Sequence, residues 1–365
     1  MAERIETVII GAGQAGLATA QQLHERGREC IILDGNQRIG DNWRRHYDSL
    51  RLYNPAWACS LPGLEFPGRP DRYPTRDEAA DYLERYAAHL DLPVRLSTWV
   101  RELRRGPRGY VVTTDRGELH ADNVVVATGT FGAAYTPPFA SELDPGILQL
   151  HSSEYKRPSQ LQPGTVLVVG ASHSGADVAY ELAHHERTVL VGRDTGELPF
   201  DSEGRAARRF IWPLMSFVAR RVLTIKTPIG RKARSKIRAH GGPLIRYKTR
   251  HLLDAGVERI EGRVTGVEDG LPVLDDGRVI SASNVIWCTG FKQDFSWIRL
   301  PVFGEDGWPH EERGVVADAP GLYFMGLAVQ FSFASMLFVG VGQDAAYIAD
   351  HIATRAEAPA AVGAA

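Results

Sequence analysis

Thr7-Val-Ile-Ile10-Gly11-Ala-Gly13-Gln14-Ala-Gly16-Leu-Ala-Thr-Ala20 is the stretch that decides the fold. A β-branched run passes at once into three glycines at GxGxxG spacing. A helix-forming stretch follows, with Leu17, Ala20 and Leu23 on one stripe. Strand, tight turn and helix in that order make a dinucleotide-binding unit. Gly11 serves the turn, Gly13 lets backbone approach a diphosphate, and Gly16 lets helix pack on strand. The diphosphate would face free N–H groups and the positive end of the helix dipole. A second strand, Cys30–Leu33, ends in Asp34, where a carboxylate accepts hydrogen bonds from ribose hydroxyls.

The pattern recurs. A strand at 165–169 runs into Gly170-Ala-Ser172-His-Ser174-Gly175, then a helical 176–184 and the strand Thr188–Val191. Ser172 stands for the central glycine and is still small. This second strand ends in Gly192-Arg193-Asp194, and a basic residue there pairs with a ribose 2′-phosphate that an acid would repel. The first turn therefore reads as a site for a dinucleotide with free ribose, the second as one preferring NADPH to NADH. Two more strands, at 123–126 and Asn284–Trp287, end in Ala127-Thr128-Gly129 and Cys288-Thr289-Gly290. Each follows a hairpin signal, Asp115-Arg116-Gly117 and Asp275-Asp276-Gly277. Small residues at such strand ends let the chain pass close to a cofactor and mark where it crosses between units. The expected fold is α/β with two Rossmann-like dinucleotide-binding domains, the second inserted into the first. Residues 1–150 and 290–365 form the first, and 151–289 the second.

The chain has 365 residues, 44% hydrophobic and 24% charged, which suits a globular protein with more than one core. Its net charge of −2 conceals an asymmetry. Fourteen Lys/Arg and no acid lie between Arg205 and Arg250, leaving 28 basic against 44 acidic residues elsewhere. That distribution excludes a globally basic nucleic-acid-binding surface. Cys30, Cys59 and Cys288 form no CxxC pair, which excludes a zinc ribbon and a thioredoxin-type dithiol. The histidines show no metal-like grouping, so no metal is assigned. No apolar run reaches eighteen residues and a strand begins at Ile5, so a cytoplasmic protein without signal peptide is expected.

On these residues the chain resembles the class B flavin-dependent monooxygenases, in the flavin-containing monooxygenase branch that includes YUCCA-like enzymes. The resemblance runs from Thr7 to about His351. Besides the two glycine turns and the two small-residue strand ends, it rests on Gly40-Asp-Asn-Trp43, Ser49-Leu-Arg-Leu-Tyr-Asn54-Pro55, Tyr73-Pro-Thr-Arg76 and Gly321-Leu-Tyr-Phe-Met-Gly326. It implies FAD on Gly11, Gly13, Gln14, Gly16 and Asp34, with Trp43 near the isoalloxazine. It implies NADPH on Gly170, Ser172, Ser174, Gly175 and Arg193. Thr128, Gly129, Thr289 and Gly290 are the strand-end candidates for cofactor contact. The implied reaction takes hydride from NADPH and passes one oxygen of O2, through a C4a-hydroperoxyflavin, to a small organic substrate. Asn54 matches the family asparagine that contacts NADP and the peroxide edge.

Two departures matter. The family's linker signature survives only as His151-Ser-Ser-Glu-Tyr155, with Pro145 where Phe is expected, so His151 is read as a brace for the hinge. Leu327 stands after Gly326, where disulfide reductases carry Asp. The alternatives are an NADPH oxidase or flavin-linked reductase without oxygen transfer, and a nucleotide-sensing redox regulator of a membrane partner.

Within the basic segment 205–250, Ile211, Leu214, Met215, Val218 and Val222 fall at helical spacing, with Pro213 opening the helix. Its first reading is a lid whose apolar face covers the active site. Peripheral contact with anionic lipid is second, and phosphate recruitment third. Residues 331–338 read as a turn into a final helix at 339–353, with a frayed tail after Thr354. The expected partners are the substrate and O2, with no nucleic acid. Oligomeric state is open, a dimer being compatible.

Overall fold

The protein is described by a computed structural model covering residues 3–239 and 241–357. Two sheets organise it. The first has seven strands, in the order Val94–Arg95, Cys30–Leu33, Glu3–Ile10, Gly117–Val126, Tyr110–Thr114 and Val100–Arg105, with Leu322–Phe324 paired to Gly117–Val126. Its centre is parallel, and Val8 and Ile9 are wholly buried, one to each face. A strand covered on both sides must be apolar at every position, which is how 7–10 reads. On one face the helix Gln14–Glu25 packs against the final helix, Phe338–Glu357, through Leu17, Leu23, Val341 and Ile348. The other face carries Tyr110, Val112, Phe295 and Phe324.

The second sheet has five parallel strands, ordered Glu258–Ile260, Thr188–Val191, Val166–Val169, Asn284–Trp287 and Leu148–His151. Leu148–His151 is thus an edge strand of the second sheet, although the sequence reading leaves residues up to 150 in the first unit. The two linkers between the units pair with each other, Phe291 opposite Ala134 and Lys292 opposite Ala133. The outgoing chain therefore crosses soon after Gly129 and returns soon after Gly290.

The first hairpin forms as expected, Tyr110–Thr114 turning into Gly117–Val126. The second turn forms as well: past Asp275-Asp276-Gly277 the chain folds back antiparallel, Val273 opposite Val279, with the Leu274 and Ile280 N–H groups donating to the Arg278 and Pro272 carbonyls at 2.9 Å. The sequence reading missed the hairpin before it, in which Leu271–Leu274 pairs with Val264–Glu268 around Asp269-Gly270. Asp269 and Gly270 both take positive φ, 49° and 77°, which matches the twist of a two-residue hairpin.

The basic segment forms a π-helical turn, Ala207–Ile211, leading into the helix Trp212–Arg221 with Pro213 in its first turn. The helices Pro228–Ala239 and Thr249–Asp254 follow. Its inward side is Ala207, Ile211, Trp212 and Met215, packed against Tyr73. Leu214 and Val222, expected on the covering face, are exposed. The indole of Trp212 donates to the Tyr73 hydroxyl at 2.7 Å, which sets the rotation of the helix and turns Leu214 outward. The final helix begins at Phe338 and continues to Glu357; the tail reading otherwise concerns 358–365, outside the described residues. Among the described residues no helix is long and apolar enough to cross a membrane.

Candidate functional site

At the first turn, Gly11 leaves its strand at φ +109°, and its N–H donates to the Leu33 carbonyl at 2.7 Å. A Cβ on Gly11 would meet the Ala127 carbonyl oxygen at 2.6 Å, and one on Gly16 the Gly11 oxygen at 1.9 Å. Packing therefore demands glycine at both positions. Gly13 differs: a Cβ there would meet nothing within 4 Å. It is the N-cap of Gln14–Glu25, and no side chain caps the helix. Bare N–H groups behind an open glycine suit an anionic diphosphate. Asp34 sits at the mouth, its two oxygens accepting from the Ala12 and Asn36 N–H groups at 2.6 and 2.8 Å. Those bonds fix the carboxylate while leaving lone pairs for hydroxyl donors. Gln14 donates to the Met336 carbonyl at 3.3 Å, tying the turn to the 3-10 turn Phe333–Met336 that precedes the final helix. Thr128 is exposed beside Gly129, whose Cβ position is also open.

The second turn repeats the geometry. A Cβ on Gly170 would meet the Cys288 oxygen at 2.3 Å, and one on Gly175 the Gly170 oxygen at 1.7 Å. Ser172 caps nothing with its side chain. Its Oγ donates instead to the Gly242 carbonyl at 2.8 Å, so the loop following the basic helices crosses this turn. Ser174 is exposed. Beyond Thr188–Val191 lies a cavity of about 540 Å³ lined by Arg193, Glu261, Gly262, Arg263, Asp275 and Asp276. Arg263 is a second guanidinium beside Arg193 that the sequence reading missed. Only the pairing of Glu258–Ile260 with Thr188–Val191 brings it there. Asp275 accepts from the Arg263 N–H at 3.1 Å and Asp276 pairs with Arg278, so two of the lining carboxylates already hold partners.

Between the units, the hydroxyls of Tyr47 and Tyr53 donate to Asp177 at 3.1 and 3.0 Å. Asp177 is buried on the helix His173–Leu182, which starts at the second turn. Burial pushes its carboxyl up to about 6, against the pull of Arg246 and the two tyrosines. Arg246 lies 3.6 Å from that carboxylate and also donates to the carbonyls of Arg51 and Leu52 at 3.1 and 3.3 Å. The stretch leading to Asn54 is thus held from the second unit. Asn54 is half-buried, and among the described residues nothing hydrogen-bonds its side-chain amide. After Pro55 the 3-10 turn Ala56–Cys59 packs on the final helix. Trp43 stacks on Phe338, the first residue of that helix, with ring centroids 5.8 Å apart. Its indole nitrogen is buried with no acceptor among the described residues. Buried donors are nearly always satisfied, so an orphan one marks a place where a bound group can accept.

The strand-end threonines part company. The Thr289 hydroxyl donates to the Tyr135 carbonyl in the opposite linker, so it is committed to the crossing. His151 Nε2 lies 3.0 Å from the Gly290 carbonyl, and its ring meets Phe291 edge-on. Burial pushes the Cys30 and Cys288 thiols up to about 12 and Cys59 higher still, so none is poised as a thiolate.

Two glycine cradles, each following a central parallel strand of its sheet and joined by paired linkers, define a two-dinucleotide-fold oxidoreductase. Residues 8–205 match the pyridine nucleotide-disulphide oxidoreductase family. An uncharacterized CzcO-like oxidoreductase of Geobacillus kaustophilus is 39% identical over 95% of this chain and 98% of its own length. A probable indole-3-pyruvate monooxygenase of Arabidopsis thaliana, YUCCA7, is 29% identical over 82% of this chain and 77% of its own. A solved flavin-containing monooxygenase from Stenotrophomonas maltophilia superposes with a TM-score of 0.74 at 25% identity, covering 97% of this chain and 99% of that one. The chain belongs to the pyridine nucleotide-disulphide oxidoreductase family, and its likeness to these monooxygenases agrees with the class B resemblance read from the sequence.

Proposed function

We propose that the protein uses FAD and NADPH to pass one oxygen atom of O2 to a small organic molecule. The observation that carries this reading is Asn54: the residues just before it are anchored from the second unit through Tyr53 and Arg246, while its own half-buried side-chain amide has no hydrogen-bond partner among the described residues. When bound, the flavin supplies the two-electron and oxygen chemistry. The chain's own residues bind and orient. Gly11, Gly13 and Gly16 offer backbone to the FAD diphosphate, and Asp34 accepts from its ribose. Gly170, Ser174 and Gly175 do the same for NADPH, whose 2′-phosphate Arg193 and Arg263 would hold between them. Ser172 contributes through its backbone, since its hydroxyl is spent on Gly242.

The Asn54 amide donates a hydrogen bond at the reacting edge without giving up a proton. The N-terminal end of Phe338–Glu357 favours negative charge beside Trp43. Antiparallel contact between Thr224 and Ser332 holds the basic segment across the residues before the final helix, which helps exclude water. Two domains share the work, residues 1–150 with 290–365 for FAD and 151–289 for NADPH, the first crossing being drawn back to the paired linkers. A reducing, cytoplasmic setting accompanies the reading, because the three thiols are free.

The test supplies NADPH and isotopically heavy O2 to the purified yellow protein with a panel of sulfides, amines, ketones and 2-keto acids. Label in a product, with faster NADPH use in its presence, is the expected result. Hydrogen peroxide release equal to NADPH use with every compound would replace the proposal by a plain oxidase.

A further inference from the structure

We infer that the segment 205–239 is a docking surface for an anionic lipid bilayer. Of nine large apolar residues exposed among the described residues, five lie between 210 and 229: Phe210, Leu214, Phe217, Val222 and Ile229. Phe210 is 70% exposed, Leu214 61%, Phe217 59% and Ile229 65%. The first three are spaced i, i+4, i+7, so they form one outward ridge. The ridge is not the free side of a loose lid. Its opposite side is already used, with Trp212 bonded to Tyr73 and Ile211 and Met215 packed around them.

Charge is sorted in the same way. On Pro228–Ala239, Arg234 and Arg238 turn inward and pair with the buried Glu311 at 2.6 and 3.3 Å. Arg238 also lies over the Trp308 ring at 4.0 Å. Ile229, Lys232 and Lys236 share the other side of that helix and are exposed. Arg209, Arg221, Lys226, Lys232 and Lys236 are all exposed and have no ion pair among the described residues. No acid occurs anywhere from 205 to 250. The inward arginines clamp the element to the body, and the outward charges are left to a partner.

An apolar ridge set among basic side chains fits the boundary between acyl chains and anionic headgroups, the ridge entering the first and the lysines meeting the second. A second copy docked symmetrically on this face would press the same cations against each other, so the charge pattern favours lipid.

Binding is read without turnover, which separates it from the catalytic reading. The full-length protein is sedimented with phosphatidylcholine vesicles, with and without phosphatidylglycerol. The expected result is binding to the anionic vesicles alone, weakening as salt is raised. Combined Phe210→Ser, Leu214→Ser and Phe217→Ser should abolish it. Lys232→Glu with Lys236→Glu should weaken it by about fivefold or more per charge, and keeps the test valid if the apolar variant misfolds. Absence of binding to anionic vesicles at low salt, or undiminished binding by a folded triple variant, would overturn the inference. So would a wild-type dimer that the triple variant dissolves, which would seat a second copy on the ridge.

Discussion

Tyr53 donates its hydroxyl to Asp177 at 3.0 Å, across the junction of the two sheets. The donor immediately precedes Asn54, and the acceptor lies on the helix that opens at the second glycine turn. Tyr47 and Arg246 converge on the same carboxylate, so the nucleotide turn and the candidate catalytic stretch are held by one buried group. Tyr53→Phe removes one donor and leaves the first glycine turn intact. Flavin content should be unchanged, while flavin reduction by NADPH slows by about tenfold, the worth of one hydrogen bond. Anaerobic rapid mixing checks this, and an unchanged rate would make the contact merely structural.

The same carboxyl gives a pH signature. An ordinary Asp titrates near 3.9, and burial raises Asp177 to about 6. The folded protein therefore holds this proton more tightly than the unfolded chain. The stabilisation is full below about pH 4 and is lost as pH rises through about 6. Asp177→Asn has no charge to bury. Its stability relative to the parent should rise from pH 4 to pH 6, by about 3 kcal/mol at most, and then level off. Denaturant unfolding across that range checks it; a difference independent of pH would refute the burial argument.

Gly13 and Gly16 should respond differently to the same change. Gly16→Ala drives a methyl into the Gly11 carbonyl and should lower the unfolding temperature sharply, by the equivalent of several kcal/mol. Gly13→Ala meets open space, so the variant should fold with near-normal stability yet lose FAD on gel filtration. If Gly13→Ala keeps its flavin, the diphosphate does not approach there.

Arg193 and Arg263 share one cavity wall region beyond the second sheet. Alanine at either should lower kcat/KM for NADPH by about tenfold to a hundredfold, the range for a charge-assisted hydrogen bond, and leave NADH use nearly unchanged. Equal losses with both nucleotides would move the phosphate elsewhere.

What the sequence made legible is what contiguous residues encode. Both glycine turns, the strands Cys30–Leu33 and Thr188–Val191, and the Asp115-Arg116-Gly117 hairpin are local arrangements, and each lies where the residue pattern puts it. Arg263 and Asp177 were invisible because their meaning depends on strand order and on a packing contact between units. The rotation of Trp212–Arg221 was misjudged because a single bond to Tyr73 fixes it, and periodicity ranked Leu214 with Met215. Of two identical Asp-Gly signals seven residues apart, Asp276-Gly277 was read and does turn the chain, while Asp269-Gly270 was passed over because the strand leading into it, Val264–Glu268, carries no clear apolar alternation. Thr289 was legible as a crossing residue; its bond to the opposite linker could be seen only with both linkers in place.

The central claim is that a flavin on the first turn and a nicotinamide on the second meet beside Asn54 and Trp43. Anaerobic addition of NADPH to the purified protein tests it most directly. The account predicts a yellow protein whose visible absorbance bleaches in proportion to the NADPH added, far faster than with NADH. A protein that binds no FAD, or whose flavin stays oxidised under excess NADPH, would contradict it.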